Sequence, residues 1–245
     1  MLEERFPGPG LDPAVWIDSY LPAWSSRVAS RATWEITAGG LRLSIPAGQA
    51  RWCPDLHDGA LRVSAVQTGN RSGPVGSTLG QQAFRDGLVV REEQPELLGY
   101  TPHFGGVDVE CRARLGPRSM FSAWMVGLED RPERCGEICI VEVFGDTLRP
   151  RSADVGSGIK AIRDPQLTQE FSAPPTVIDV SQPHVYGVDW RPDGVDFFVD
   201  GRRTRTTTQS PDYPMQLILA VFDFPDRPGA DGHEPELVVR AVRGS

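Results

Sequence analysis

Alternation of apolar and polar residues is the dominant pattern along this chain. It runs through Gly40 to Ile45 and through Val107 to Leu115, and this period is typical of strands with one buried face. A third segment, Val195 to Asp200, lies between Asp193-Gly194 and Asp200-Gly201. Because Asp-Gly pairs favour tight hairpin turns, these segments predict antiparallel strands joined by short connections.

Other segments are apolar almost without interruption. Ile138 to Phe144 and Leu217 to Phe222 are of this kind, which predicts central strands covered on both faces. Glu236 to Val242 is a further strand candidate near the end of the chain. Residues 149–180 are rich in Pro, Asp, Ser and Gly, and we expect long loops there with one short strand.

These patterns predict an all-β fold, a sandwich or a barrel, because no window of about 11 residues or more has helical periodicity. The 26 glycines and 22 prolines are dispersed along the 245 residues, as turns between short strands require. No repeat or linker interrupts the pattern. We therefore expect one domain that spans residues 1–245.

The charge of the chain limits its partners. The formal net charge is −8, and nucleic-acid binding depends on clustered cations, so we expect no nucleic-acid partner. The one basic run, residues 202–205, is typical of a solvated strand or loop. No apolar stretch approaches the roughly 20 residues of a membrane span, so we expect no membrane association, and we expect a monomer.

The beginning and the cysteines of the chain bear on its compartment. Met1 to Arg5 lacks the layout of a signal peptide, which indicates either a cytoplasmic protein or a secreted one whose signal was removed. Cys53, Cys111, Cys135 and Cys139 fit no zinc pattern. On an extended strand Cys135 and Cys139 would lie roughly 13 Å apart, which is too far for a disulfide.

Two glutamates interrupt one of the apolar segments, at Glu137 and Glu142. Burying an unpaired carboxylate is expensive, so these side chains should face a wet cleft, pair with a cation or reach solvent at an edge. Their odd separation puts them on opposite faces of a regular strand. A β-bulge between residues 139 and 142 would bring both to one face, whereas without it one glutamate faces bulk water. Carboxyl groups about 5–5.5 Å apart are what a retaining glycosidase requires.

The segment Glu137 to Glu142 resembles the E-x-D-x-x-E signature of glycoside hydrolase family 16, the laminarinase-like members of the concanavalin A-like lectin/glucanase fold. Further blocks resemble that family in the same order along the chain. They are the opening Phe6 to Trp24, the strand Phe121 to Met125, and His184 to Trp190 followed by Val195 to Gly201.

The resemblance implies a jelly-roll β-sandwich of two antiparallel sheets with a sugar-binding cleft on the concave side. It implies Glu137 as the nucleophile and Glu142 as the general acid/base. Cys139 stands where the family has its central Asp. A thiol is a weak donor and ordinarily neutral, so its presence should ease ionisation of both glutamates. We therefore expect an activity optimum shifted toward acid, or loss of activity.

The resemblance also indicates substrate-binding residues. Relatives often carry a His near Lys160, so Lys160 could contact a sugar, or it could be a solvated loop lysine. Trp124 is a candidate for stacking on a sugar and equally a candidate for the core, while Trp16, Trp34 and Trp190 are assigned to the core. We expect no cofactor. Family members often bind one structural calcium, but no cluster of oxygen ligands can be assigned to it.

The function that these observations favour is a retaining endo-glycosidase that hydrolyses a β-glucan or a related polysaccharide. A transglycosylase would use the same site with a sugar as acceptor. The replacement of the Asp by Cys139 leaves a non-catalytic carbohydrate-binding domain as the alternative. An interaction protein built on the same scaffold is a third possibility that the fold alone never excludes.

Overall fold

The computed structural model describes residues 1–229 and 232–245, and this part of the chain is almost entirely strand. Two short 3-10 helices, Pro22–Trp24 and Gly145–Thr147, are the helical elements of the described residues. The strands are β1 (Leu2–Glu4), β2 (Thr33–Thr37), β3 (Gly40–Ser44), β4 (Arg62–Gln67), β5 (Gly69–Asn70), β6 (Leu97–Leu98), β7 (Gly105–Arg114), β8 (Ser119–Gly127), β9 (Glu137–Phe144), β10 (Ala153–Asp154), β11 (Gly156–Lys160), β12 (Glu170–Ser172), β13 (Pro175–Thr176), β14 (His184–Arg191), β15 (Gly194–Val199), β16 (Arg202–Thr207), β17 (Met215–Asp223) and β18 (Glu236–Gly244).

Two antiparallel sheets form a jelly-roll sandwich, as predicted. The larger sheet has the strand order β16-β15-β14-β7-β18-β3-β2, with β1 paired to β18. The smaller sheet has the order β12-β11-β9-β8-β17-β4. Its central strands β9 and β17 are the two nearly continuous apolar segments. The prediction that both faces are covered is confirmed for β17, whose residues are all buried. It is wrong for β9, because one face of β9 lines a cavity.

Most strand predictions are confirmed, but the prediction for residues 149–180 is wrong. Four strands, β10 to β13, lie there instead of one. The strand β11 forms by pairing with β9, although its sequence GSGIK has little strand propensity of its own. Tertiary pairing overrides local composition here. The short strand β1 (Leu2–Glu4) precedes the opening block that begins at Phe6.

The main hydrophobic core lies between the two sheets. Trp190 and Tyr186 of β14, Phe121 of β8 and Phe197 of β15 are among its largest side chains, each 1% exposed. Trp16 is buried in the same core and Trp34 packs against it. The assignment of these tryptophans and of Trp190 to the core is therefore confirmed.

A second hydrophobic cluster lies on the outer face of the smaller sheet. It is built on residues of β4, β8 and β17, and side chains from the segments 21–24, 52–61 and 88–90 cover it. This loop cover encloses aromatic rings, and Tyr20 and Phe84 pack at its border. One half of the outer face is therefore buried under loops, while the strand β9 lies next to it.

The start of β9 is fixed by a buried tyrosine. The backbone N–H of Gly136 donates to the Tyr213 hydroxyl (2.9 Å), and this hydroxyl donates to Asp164 Oδ2 (2.6 Å). Tyr213 is 7% exposed and Asp164 6%. The chain is thus held by a buried hydrogen bond at the residue immediately before Glu137.

We predict that Tyr213→Phe lowers the free energy of unfolding by about 1–3 kcal/mol, because it leaves the Gly136 N–H and one Asp164 oxygen without this partner. Chemical denaturation of the purified variant measures the change. The matched control is Tyr100→Phe, since the buried Tyr100 hydroxyl has no hydrogen-bond partner among the described residues. That control should be neutral or slightly stabilising. Equal stabilities of the two variants would contradict the anchoring role of Tyr213.

Candidate active site

The strand β9 carries one extra residue in its middle. Across from β8, Val141 lies opposite Ala123 and Cys139 lies opposite Trp124, so Ile140 has no counterpart. The pairing with β11 shifts at the same place. Ile140 and Val141 are consecutive, yet both pack into the core between the sheets. Of the two alternatives left open by the sequence, the one with a bulge between residues 139 and 142 is therefore present.

The bulge turns Glu137, Cys139 and Glu142 toward the outer face, where they line one cavity of about 150 Å³. The side chains of Glu137 and Glu142 are 14% and 15% exposed. The alternative in which one glutamate faces bulk water therefore does not hold. The other residues that line the cavity are Tyr20, Gln82, Met120, Ser122, Trp124, Lys160 and Phe222.

Lys160 is the cation of this cavity. It lies opposite Glu137 across the β9–β11 pairing, and its Nζ is 2.8 Å from Glu142 Oε2 and 4.0 Å from Glu137 Oε2. Nζ also lies 4.7 Å from the centre of the Phe171 ring. Burial opposes the charge of Lys160, but the surrounding acidic groups outweigh burial and raise its pKa above the ordinary value. Lys160 is therefore a charged cleft residue, and the alternative of a solvated loop lysine is wrong.

Glu137 is the carboxyl whose ionisation is most perturbed. Burial raises the pKa of Glu137 from 4.5 to about 7; Lys160 lowers it in part, while Glu142 and Glu129 raise it further. We expected the missing Asp to ease ionisation of Glu137. Burial acts in the opposite direction and raises the pKa of Glu137, so the effect of Cys139 relative to an Asp stays a prediction.

Cys139 lies between the two glutamates and is 1% exposed. Burial raises the pKa of the Cys139 thiol well above its usual range, and the two glutamates add to the effect against the opposing influence of Lys160. The thiol is therefore neutral at any physiological pH. It fills the position of the Asp without supplying its charge.

Trp124 forms a wall of the cavity. Its indole is 6% exposed and belongs to the second hydrophobic cluster, with ring centres 6.4 Å from Tyr20 and 6.2 Å from Phe222. The indole Nε1 donates to Gln82 Oε1 at 3.3 Å. Trp124 is thus a core residue that also lines the cleft, and its contact with a sugar stays a prediction.

Several residues of the site were not found from the sequence, among them Tyr20, Gln82 and Phe171. Tyr20 and Gln82 line the cavity from loops, and Phe171 lies on β12 beside Lys160. Gln82 carries no local signal, since nothing in a loop sequence says which strand it covers. Phe171 lies in the region that we read as loops. Only the pairing of β12 with β11, opposite Gly158, brings its ring to the site.

Metal and membrane features add little. Among residues 1–229 and 232–245, no group of three or more His, Cys, Asp or Glu side chains is arranged to hold a metal ion. A structural calcium therefore stays without assigned ligands. The described part of the chain contains no helix that is long and apolar enough to cross a membrane. All four cysteines are free and buried.

Similarity to solved structures is extensive. The GlcNAcα1-4Gal-releasing endo-β-galactosidase of Clostridium perfringens is 25% identical, with a TM-score of 0.81 over 100% of this chain and 62% of its own. The present chain thus spans less than two thirds of that protein. The endo-1,3-β-glucanase (laminarinase) catalytic domain of Thermotoga petrophila is 15% identical, with a TM-score of 0.68 over 100% and 96% of the two chains. The laminarinase of Flavobacterium sp. UMI-01 is 18% identical, with a TM-score of 0.63 over 100% and 98%.

Sequence comparison gives the family directly. No curated protein matches the chain. The family model described as "Glycosyl hydrolases family 16" matches residues 100–228, more than half of the chain, and this range contains β9 with both glutamates. The two laminarinases have sequence identities so low that their similarity shows the fold alone. The resemblance drawn from the sequence motifs is confirmed, and the chain belongs to family 16 of the glycosyl hydrolases.

Proposed function

We propose that this protein is a retaining endo-glycosidase that hydrolyses β-glycosidic bonds within a polysaccharide or oligosaccharide, with Glu137 as nucleophile and Glu142 as general acid/base. The observation that carries the proposal is the placement of both carboxyls on one wall of a single cavity by the β9 bulge. Binding alone requires neither a nucleophile nor an acid. This pairing therefore favours catalysis over a lectin-like role.

The spacing of the carboxyls is compatible with retention of configuration. Both Oε2 atoms lie close to Lys160 Nζ, so they are at most about 6.8 Å apart (2.8 plus 4.0 Å). Retaining enzymes have their carboxyls about 5–5.5 Å apart, while inverting enzymes need about 6.5–9.5 Å to admit a water. The upper bound lies near the bottom of the inverting range and leaves the retaining range open.

The proposed reaction uses one proton on the pair of glutamates. The Glu137 carboxylate attacks the anomeric carbon, while the Glu142 carboxyl gives its proton to the departing glycosidic oxygen. Glu142 then takes a proton from the water that releases the sugar from Glu137. In the free protein Glu142 accepts a hydrogen bond from Lys160, and Glu137 holds a proton up to about pH 7. In the reactive form this proton lies on Glu142 instead of Glu137.

The substrate class we favour is a glycan with β-linked galactose. The endo-β-galactosidase has both the higher identity and the higher TM-score of the three similar structures. A β-1,3-glucan is the second candidate, because two laminarinases share the fold over the full length of this chain. The same site would serve transglycosylation if a sugar replaced water as the acceptor.

The proposal predicts that Glu137→Gln and Glu142→Gln each lower the release of reducing ends at least about 100-fold, because each removes one partner of the double displacement. The assay uses a panel of β-galactose-containing glycans and β-1,3-glucans. Glu133→Gln, an exposed carboxylate near the start of β9, is the matched control and should retain full activity. Undiminished activity in both variants would remove the mechanism, and binding without turnover by the parent protein would favour the lectin alternative.

The pair of glutamates also predicts the pH dependence. Because the pair must keep one proton, kcat/KM should fall as the pH rises through about 7, where Glu137 loses it, and the optimum should lie on the acid side. Lys160→Met removes a cation that lowers the pKa of Glu137, so the descending limb should move to higher pH. Lys160→Arg keeps the charge and should shift the limb much less. A parent optimum above neutral, or a limb that Lys160→Met leaves in place, would contradict this account.

Burial of Glu137 predicts a cost in stability. Its pKa is about 7 in the folded protein, against an ordinary 4.5. Folding therefore favours the protonated form of Glu137 over the ionised form. The stability that this preference gives is fully present below about pH 4.5 and is lost as the pH rises through about 7. The shift corresponds to about 3 kcal/mol at pH 8.5.

Glu137→Gln should accordingly stabilise the fold by up to about 3 kcal/mol at pH 8.5 and by little at pH 4.5. Denaturant unfolding of parent and variant at both values measures the difference. Glu133→Gln again serves as the control, with no pH-dependent gain expected. A variant that is less stable than the parent at pH 8.5 would show that ionised Glu137 is well compensated.

A further inference from the structure

One hydrogen-bonding atom of the Gln82 side-chain amide has no partner among the described residues. Gln82 lines the cavity together with Glu137 and Glu142. Its Nε2 is shielded from solvent and has no hydrogen-bond partner among the described residues. A buried donor without a partner carries the full cost of its lost hydration. Such a group in a native structure needs an explanation, and beside a cavity one explanation is a bound ligand that supplies the acceptor.

The orientation of this amide follows from its neighbour. The indole Nε1 of Trp124 donates to Gln82 Oε1 at 3.3 Å. An indole N–H can only donate, so the reversed amide would put two donors against each other. Nε2 is therefore the unsatisfied atom of a side chain that lines the cavity.

The backbone of Gln82 is held in an unusual conformation by a buried carboxylate. Gln82 has φ of +47°, a region that costs a non-glycine residue energy. Its N–H donates a short hydrogen bond to Glu129 Oε1, and the Glu129 side chain is only 3% exposed. Arg163 closes the arrangement, with one nitrogen 3.3 Å from Glu129 Oε2 and the other donating to the Ala83 carbonyl at 3.1 Å. Strain that the surroundings maintain in this way is typical of functional positions.

We propose that Gln82 determines specificity in this cavity, with a shift of its side chain on binding that lets Nε2 donate a hydrogen bond to an oxygen of the sugar unit bound beside Glu137 and Glu142. The inference rests on the proposed function, because it takes a sugar as the occupant of the cavity. A sugar hydroxyl or an acetamido carbonyl both offer the acceptor. A site built around such a bond discriminates strongly against a sugar that lacks the oxygen, because the donor is then left unpaired.

The test compares two substitutions of Gln82. Gln82→Glu keeps an oxygen for the Trp124 indole and replaces the donor, while Gln82→Met keeps the length of the side chain and removes both polar atoms. Each should lower kcat/KM about 10- to 100-fold, the effect of one buried hydrogen bond to substrate. The substrates are β-linked galactose and glucose oligosaccharides of three to six units. Gln182→Met, at an exposed position, is the control and should leave kcat/KM unchanged.

A second measurement separates a contact with substrate from a structural role. Monodeoxy forms of the oligosaccharide are compared with the parent sugar, by kcat/KM and by calorimetric binding to the Glu137→Gln protein. Removal of one particular oxygen should cost the wild-type cavity at least about 10-fold, and Gln82→Met should abolish that discrimination. A variant that merely loosened the loop would weaken all deoxy sugars alike.

The outcomes distinguish this inference from the proposed function. In one outcome the wild type cleaves the oligosaccharides, while both Gln82 variants keep kcat/KM within twofold of it and show the same discrimination among the deoxy sugars. That result would overturn the role of Gln82 and leave the proposed hydrolase activity intact. Binding without cleavage, weakened by the Gln82 variants, would support Gln82 and remove the hydrolase. A wild-type protein that neither binds nor cleaves any of the oligosaccharides would overturn both.

Discussion

The extra residue that β9 holds between Cys139 and Glu142 determines which side of the sheet each of its side chains faces. On a regular strand Glu137 and Glu142 would face opposite ways, and one of them would enter the core between the sheets. A carboxylate there would lose its hydration with no cation at hand. The bulge avoids this by turning the consecutive side chains of Ile140 and Val141 into that core. The hydrophobic packing of these two residues therefore holds the acids on the outer face.

Once the acids share a face, charge balance decides what can lie between them. The cavity holds two carboxyls, one ammonium and, at Cys139, a neutral thiol. A third carboxylate at Cys139 would leave three acids against Lys160, in a place where burial already raises the pKa of Glu137 to about 7. The thiol keeps the volume and removes that repulsion. Under the proposed reaction, Lys160 would thereby become the group that sets how the single proton is shared between the glutamates.

The sequence predicted this site to a useful depth because its information is local. Strand alternation, the paired glutamates and the need for a bulge all follow from spacing within β9 and its neighbours in the chain. The motif order gave the family and therefore the sandwich. The predictions that failed concern features that depend on pairing between distant segments. The strand β11 exists because β9 lies beside it, and the charge state of Glu137 depends on how completely loops and strands exclude water. Neither property can be read from residues 137–142.

The loop residues of the site could be predicted even less well from local sequence. They also bear on how a polysaccharide could lie in the cleft. Loops cover the outer face over β4, β8 and β17, and Tyr20 and Gln82 reach the cavity from this side. On the other side of β9 stand Lys160 on β11 and Phe171 on β12. Under the proposed function, a sugar chain that crosses β9 would meet two different surfaces. Toward β8 it would enter a walled cavity that Gln82 lines. Toward β12 it would lie beside a cation and an aromatic ring. Under the proposed reaction, selectivity would come from the walled side, and tolerance for a long substrate from the side of β12.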